Sequence, residues 1–475
     1  MPLIESIVTN LPGHISFKRW MPEIFNKILR SFELPVGEAW KKWGPAAAPM
    51  QTGNVPGFLV SQIGGDNEDS EIVFANLEQL VGAITGYIHP SNHGKWTEKL
   101  LQFLDSLTQK FISRLRKERY ESRPNWQPLA PEHKRITDGD IDRFVALVRP
   151  LAMTALFNKA GPQYASNILQ FLAIVRPNEV LPELIKRCHC AFNSLTEPHQ
   201  SSSCVYALIS QVCVMLGPGV SDEVRLSLVP LLQELIPSID INDQSKANYV
   251  LYLFDFVFTN IFMEEASSSI GNDNLSERED KLVRQSLMLD DLFWAYWDQK
   301  LKLISACNHQ RETSGEGSSV QVINVESDTT MHLGYGPGIA ACSDKLFPQL
   351  LRRIFDFCRT NVFGETQAAF MTGSLVQSLV VKNPKQTIEL FFPWLYKVIM
   401  GIKRENPEVI SDEYRMDSEV YWYLLLLCDT VMAAGSDILP YYDQLVELLN
   451  IANEIKARVA NETLSNISTE YNYSC

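Results

Sequence analysis

The chain has 475 residues, 45% of them hydrophobic, and 42 Lys and Arg stand against 56 Asp and Glu for a formal net charge of −14. That acidic balance argues against nucleic acid as a direct partner, since the dominant attraction to phosphate backbones needs excess cations. No stretch reaches ~18 uncharged apolar residues, so no membrane span is expected.

Residues 1–21 read as an N-terminal extension with no basic segment ahead of an apolar core, so no secretory leader is expected there. The first helix is expected over 22–33, followed by a surface connection over 34–70 that is rich in Pro, Gly, Ala and Asn. A second helix covers 71–88 and ends in the turn chemistry of Tyr87 through Trp96. A long amphipathic helix follows over 95–120, with Leu100, Leu101, Leu104, Leu107, Phe111 and Leu115 near helical spacing. Residues 121–137 form a loop, and Thr137-Asp138 caps a helix over 139–158. Further helices are expected over 162–175, 178–195, 199–216, 221–236, 243–266 and 276–308, the last opening on a Ser276/Glu279 capping box. Residues 309–340 are polar and Gly/Ser-rich and read as a flexible insertion. Helices resume over 343–362, 365–382, 385–403, 414–434 and 437–464, and 465–475 read as an unstructured tail. No strand-period alternation recurs, so the fold class is all-α.

A small motif repeats along this order: two apolar residues, Pro, any residue, then apolar or aromatic residues. It occurs around Pro22, Pro182, Pro230, Pro348, Pro393 and Pro440. Proline is tolerated in the first helical turn, so each copy reads as a helix start. The steps from 182 to 230, from 348 to 393 and from 393 to 440 are 48, 45 and 47 residues. A period of roughly 40–47 residues built from helix pairs signals HEAT or armadillo arrays. The expected architecture is an α-solenoid, with repeats over 22–308 and 341–464.

Candidate chemistry is sparse. Cys188-His189-Cys190, with Cys204 and Cys213 on the next helix, has metal-binding residue types, but residues one and two apart on a helix diverge; buried thiols with a surface His fit better. The nine cysteines lack framework spacing and read as reduced thiols, mostly buried, of a nuclear or cytosolic protein. Gly334 through Gly338 lacks the strand–loop–helix setting of a phosphate loop, and Gly94-Lys95 is followed by Trp96 rather than Ser or Thr. Asp290-Asp291 reads as a solvated helix face, and no catalytic constellation or cofactor is expected. Trp20, Trp96, Trp294, Trp297, Trp394 and Trp422 read as inter-repeat core. One charge feature stands out in this acidic chain. Lys110, Arg114, Arg116, Lys117, Arg119, Arg123, Lys134 and Arg135 face only Glu118, Glu121 and Glu132 over 110–135. It reads either as a solvated helix end complementing the dipole or as a patch for an anion or acidic partner.

Three stretches go beyond a generic helical repeat: Ile24 through Gly37, Tyr87 through Leu100 with Arg116 through Tyr120 downstream, and Leu195 through Gln200. Together they resemble the middle HEAT region of the proteasome activator complex subunit 4-like family, from about Trp20 to Leu449. The Tyr-x-His-Pro-Ser-Asn-x-Gly-x-Trp stretch at 87–96 is the most specific part. The resemblance implies a non-enzymatic solenoid within a dome-shaped cap on the 20S proteasome core, promoting degradation without ubiquitin or ATP. It further implies residence in nucleus and cytoplasm, links to DNA repair, and acetylated histones as partners through other parts of the family's longer chains. The family's C-terminal hydrophobic-Tyr-x docking tail has no counterpart in Tyr473-Ser474-Cys475. A HEAT scaffold or karyopherin-like carrier, with an acidic face for basic cargo, is the alternative.

Overall fold

The computed structural model describes residues 2–32, 34, 55–92, 95–120, 130–158, 161–194, 198–261, 277–313, 336–364, 367–405 and 419–450. Among these residues there are helices and turns but no strand, and no helix is long and apolar enough to cross a membrane. The chain divides into two compact units, residues 1–234 and 235–475.

In the first unit the helices are α1 (Pro2–Asn10), α2 (Met21–Ser31), α3 (Val55–Gln62), α4 (Glu68–Ile84) and α5 (Lys95–Arg119). They are followed by α6 (Asp138–Ala155), α7 (Pro162–Val175), α8 (Pro177–Phe192), α9 (Pro198–Met215) and α10 (Asp222–Leu226). Odd-numbered helices pack in one row, α1 on α3, α3 on α5, α5 on α7 and α7 on α9. Even-numbered helices form a second row, α2 on α4, α4 on α6 and α8 on α10, and α7 packs on both α6 and α8. Packing of each helix on the next but one is what stacked helix pairs produce, so the unit is a stretch of α-solenoid. Between the rows lie fully buried apolar side chains, among them Leu169, Leu172, Leu184 and Leu208. Phe111 of α5 stacks on Phe144 of α6 with ring centroids 4.1 Å apart.

Helix α11 (Leu228–Leu235) ends at the division between the units. The second unit contains α12 (Gln244–Asn260), α13 (Glu277–Thr313), α14 (Pro337–Ala340), α15 (Phe347–Thr360), α16 (Gln367–Lys382), α17 (Pro384–Glu405) and α18 (Glu419–Met432). The same alternation holds: α14 packs on α16 and α16 on α18, while α15 packs on α17. Phe254 and Phe258 of α12 meet Phe293, Tyr296 and Trp297 of α13 in one aromatic cluster. Gly373 on α16 lies against Asp429 on α18, where a Cβ would collide with the carboxylate.

Several expectations are corrected. The 34–70 connection contains α3, VPGFLVSQ, whose eight residues are all buried. A segment enclosed on every side has no polar face, so it shows no helical period. The expected extension at 1–21 begins with α1, and the 221–236 helix is broken at Ser227. Parts of the 309–340 insertion are ordered, since α13 runs to Thr313 and α14 covers Pro337–Ala340. The Ser276 capping box, the middle of that insertion and the tail lie outside the described residues, whereas Thr137 caps α6 with Asp140 in a capping box.

The proline motif does not mark helix starts uniformly. Pro22 and Pro348 do sit in first turns, and α7 and α8 open on Pro162 and Pro177. Pro182 and Pro393 are instead inside α8 and α17, and both face solvent. A solvent-facing position lets water serve the carbonyl that an interior proline leaves without its N–H. What the motif encodes is amphipathic phase. The residue before the proline is buried at Met21, Leu181, Val229, Phe347 and Phe392.

Two predictions follow from this packing. Leu184→Asp places a charge at a fully buried inter-helix position and is expected to cost at least about 4 kcal/mol in urea unfolding. Lys186→Asp on the exposed face of the same helix is expected to stay within about 0.5 kcal/mol. Equal melting of the two variants would refute the assigned phase. Burial pushes the Asp105 and Asp429 carboxyls up to about 6, against a hydrogen bond from Asn167 in the first case. Both hold protons more tightly folded than unfolded, so their stabilising contribution is full below about pH 4 and lost as pH rises through about 6. Asp105→Asn should therefore raise the melting temperature at pH 7.5 by about 2 °C and leave it little changed at pH 4.5. A uniform shift across that range would contradict the assignment.

Candidate functional site

The cationic cluster is organised by the end of α5. Arg114 is buried, and its Nε donates to Glu118 Oε1 at 2.7 Å, one helical turn on. Its Nη1 donates to the backbone carbonyls of Val60 and Ile63 at the end of α3, and Nη2 donates to Lys134 O at 2.9 Å. Glu118 in turn accepts from the Ile136 backbone N–H at 2.9 Å. One buried ion pair thus ties α5 to the α3–α4 turn and to the 130–137 segment. That turn needs glycine: Gly64 and Gly65 have φ of +130° and +73°, and a Cβ on either would strike the backbone of His133 and Lys134. The Gly65 N–H donates to Asp140 Oδ2 at 3.0 Å, joining the turn to the first turn of α6.

Other members of the cluster are also engaged. Lys134 Nζ is 3.0 Å from Asp69 Oδ2, which Ser16 and Lys18 also approach; these hydrogen bonds and charges hold that carboxyl below its usual range despite burial, which acts to raise it. Lys110 lies 3.7 Å from Glu5, Arg119 lies 3.1 Å from Asp138, and Arg135 Nε donates to Ala130 O at 3.3 Å. Arg116 and Lys117 are exposed on the last turn of α5, and Arg123 lies outside the described residues. The expected run of eight surface cations is therefore not one open patch, because carboxylates from α1, α4 and α6 and backbone carbonyls occupy most of it. Sequence could not reveal this, since the acceptors of Arg114 lie 51 and 54 residues away.

Cys188 and Cys204 are buried on the facing helices α8 and α9, and Cys190 and Cys213 are exposed. The two buried sulfurs share a hydrogen bond, and burial pushes the Cys188 thiol up. His189 Nδ1 bonds Glu234 at 2.9 Å. Among the described residues no three His, Cys, Asp or Glu side chains group as a metal site. Cys342 and Cys358 are also buried and Cys428 is exposed. Of the tryptophans, Trp297 and Trp422 are fully buried core, whereas Trp20 is exposed beside Arg19 rather than packed between repeats.

Two features of the second unit were not foreseen. Lys300, Tyr296 and Asp255 form a buried chain in which Lys300 Nζ donates to Tyr296 OH at 2.8 Å and Tyr296 OH donates to Asp255 Oδ1 at 3.0 Å. Burial raises the Asp255 carboxyl to about 6 against the pull of Lys300, and burial lowers Lys300. Nearer the surface, an open groove of about 880 Å³ lies between α13, α15 and α17, with Trp294, Arg353, Asp356 and Glu389 on its walls. The Arg353 guanidinium stands 5.3 Å from the Trp294 ring centre and pairs with Asp298.

Arg114→Met leaves Glu118 buried without its cation and three carbonyls without their donor, and is expected to cost about 3–5 kcal/mol in chemical unfolding. An Arg114 serving an external anion would instead leave stability unchanged, and that result would reverse its assignment. Lys300→Met should be destabilising by a similar amount, about 3–5 kcal/mol, through the uncompensated Asp255, checked by the same measurement.

The family described as Proteasome activator complex subunit 4, mid HEAT repeats region, matches residues 77–471. Proteasome activator complex subunit 4B of Danio rerio is 29% identical over 457 residues, covering 94% of this chain and 24% of the relative. Proteasome activator complex subunit 4 of Xenopus laevis is 30% identical over 448 residues, covering 92% and 24%, and that of Homo sapiens is 29% identical over 457 residues, covering 94% and 24%. The chain spans about a quarter of the length of these curated relatives. Its two stretches of stacked helix pairs, and a match that runs through both, make the chain a member of the proteasome activator complex subunit 4 family, corresponding to that family's mid HEAT-repeat region.

Proposed function

We propose that this chain acts as a non-catalytic proteasome-activator segment that contributes binding surface to a cap on the 20S core and so promotes degradation without ubiquitin or ATP. The observation that carries the reading is the family match over residues 77–471. The physical features agree with a scaffold. Charged side chains tie helix to helix, as Arg143 of α6 does to Glu71 and Glu78 of α4, and Arg176 does to Asp138 and Asp142 of α6. Exposed pairs of this kind add little stability each, and these join successive helices of the stack. Affinity for a large partner then comes from many weak contacts on a preorganised surface. Lys117, exposed at the end of α5, is the member of the cationic cluster placed to meet an acidic partner. On this reading the protein works in nucleus and cytoplasm, and acetylated histones are substrates of the assembly rather than ligands of these helices.

The test is affinity capture of the tagged native protein from cells, with quantification of proteasome α-type subunits and of peptide hydrolysis in the eluate. Co-recovery of α-type subunits with stimulated hydrolysis is expected. Recovery of nuclear import factors and basic cargo without α-type subunits would overturn the reading in favour of a carrier. Hydrolysis by the purified chain alone would overturn its non-catalytic character.

A further inference from the structure

Helix α14 has four residues where its neighbours α12 and α16 have 17 and 16, and α13 packs directly on α16. Beside that step lies the groove of about 880 Å³ between α13, α15 and α17. The groove is interior to the stack, since α12 packs against α13 before it and α18 packs against α17 after it. Arg353 crosses from α15 to Asp298 and Trp294 of α13. The other polar groups on the walls are not engaged. The side chains of Gln349, Arg352 and Asp356 on α15, and of Gln386 and Glu389 on α17, are exposed and make no hydrogen bond or ion pair among the described residues.

Free amides on two walls select the conformation of an occupant. A helix satisfies its own backbone groups, whereas an extended chain leaves N–H and C=O groups open to Gln, which carries both donors and an acceptor. Charge selects the occupant's side chains. Asp356 and Glu389 outnumber Arg352, because Arg353 is held by Asp298. Residues 1–234 carry 23 Lys and Arg against 23 Asp and Glu, and residues 235–475 carry 19 against 33. The whole net charge of −14 therefore belongs to the unit that holds the groove. Such a field attracts cationic segments and repels acidic ones. Leu351 and the half-buried Trp294 supply an apolar wall for the stem of a lysine whose ammonium seeks a carboxylate.

We propose that the groove between α13, α15 and α17 binds an extended, lysine-bearing segment of a partner protein, with Gln349 and Gln386 on its backbone and Asp356 and Glu389 on its cations. The proposal does not rest on the proteasome reading. It is tested by fluorescence anisotropy of the full chain with three labelled 12-residue peptides. In two of them Lys or Glu alternates with Ser, Thr and Pro, so that neither is helical; the third is an Ala/Lys helix former with the same number of lysines. Saturable binding of the extended Lys peptide is expected, with the Glu peptide at least about tenfold weaker and the helix former about fivefold weaker. Asp356→Asn with Glu389→Gln should weaken it about fivefold or more, and Gln349→Ala with Gln386→Ala about threefold or more, at unchanged melting temperature. Asp437→Asn with Asp443→Asn removes the same charge from exposed positions elsewhere in the unit and should change binding by less than about twofold. Equal loss in the two acidic double variants would make the attraction general to the unit and overturn the proposal. So would unchanged binding by both groove variants, equal or tighter binding of the helix former or the Glu peptide, or no binding of any peptide.

Discussion

The constraint on which the structure depends is that a single amphipathic helix pair cannot bury its own apolar face. Each pair must lie against the next, and the i to i+2 packing of α1, α3, α5, α7 and α9 is the direct consequence. The apolar residues at the −2, −1 and +2 positions around Pro182 and Pro393 satisfy it locally, by placing the buried side on the neighbours and the proline toward water. The same constraint suits a long chain, since a compact core stops growing near ~250–300 residues whereas a stack does not. A residue without a Cβ stands where a neighbour's side chain leaves no room, as Gly373 does against the Asp429 carboxylate.

Apolar stacking sets distance and phase but leaves the path of the connections open. The buried polar groups close that gap. Arg114 and Glu118 reach the α3–α4 turn and the 130–137 segment together, so three stretches of chain far apart in sequence meet at one guanidinium and one carboxylate. In the second unit Lys300, Tyr296 and Asp255 do the same for α12 and α13 within an aromatic surround. Buried ion pairs add little net stability over an apolar replacement, because desolvation offsets the attraction, yet breaking one is costly. Their value here is positional: a mispaired register would strand a buried charge.

The sequence made the array legible where helices are half exposed. Helix α7 was read over 162–175 and is Pro162–Val175, because its buried residues fall at helical spacing and Pro162 opens it. Helix α3 was missed for the opposite reason, since complete burial leaves no alternation to detect. The proline motif was read as a boundary when it reports facing direction, an ambiguity inherent in a residue tolerated both in first turns and on solvent faces. The cationic cluster was visible as composition only. Charge counting finds Arg114 but not the carbonyls of Val60 and Ile63 that claim it, since those depend on tertiary contact across 51 to 54 residues.

These limits also show where function lies in such a fold. A solenoid carries its information on surfaces left over after stacking, and a side chain is available to a partner only if no neighbouring repeat has taken it. Applied to the basic cluster, that criterion removes Arg114, engages Lys134 and Arg119, and leaves Lys117 exposed at the end of α5. Applied to the sixth proline motif it gives the reverse: side chains of the type that neighbours take in five copies remain exposed in this one. Internal repetition thus supplies its own reference state. A position buried in five copies of the motif and exposed in the sixth is one that no described helix covers.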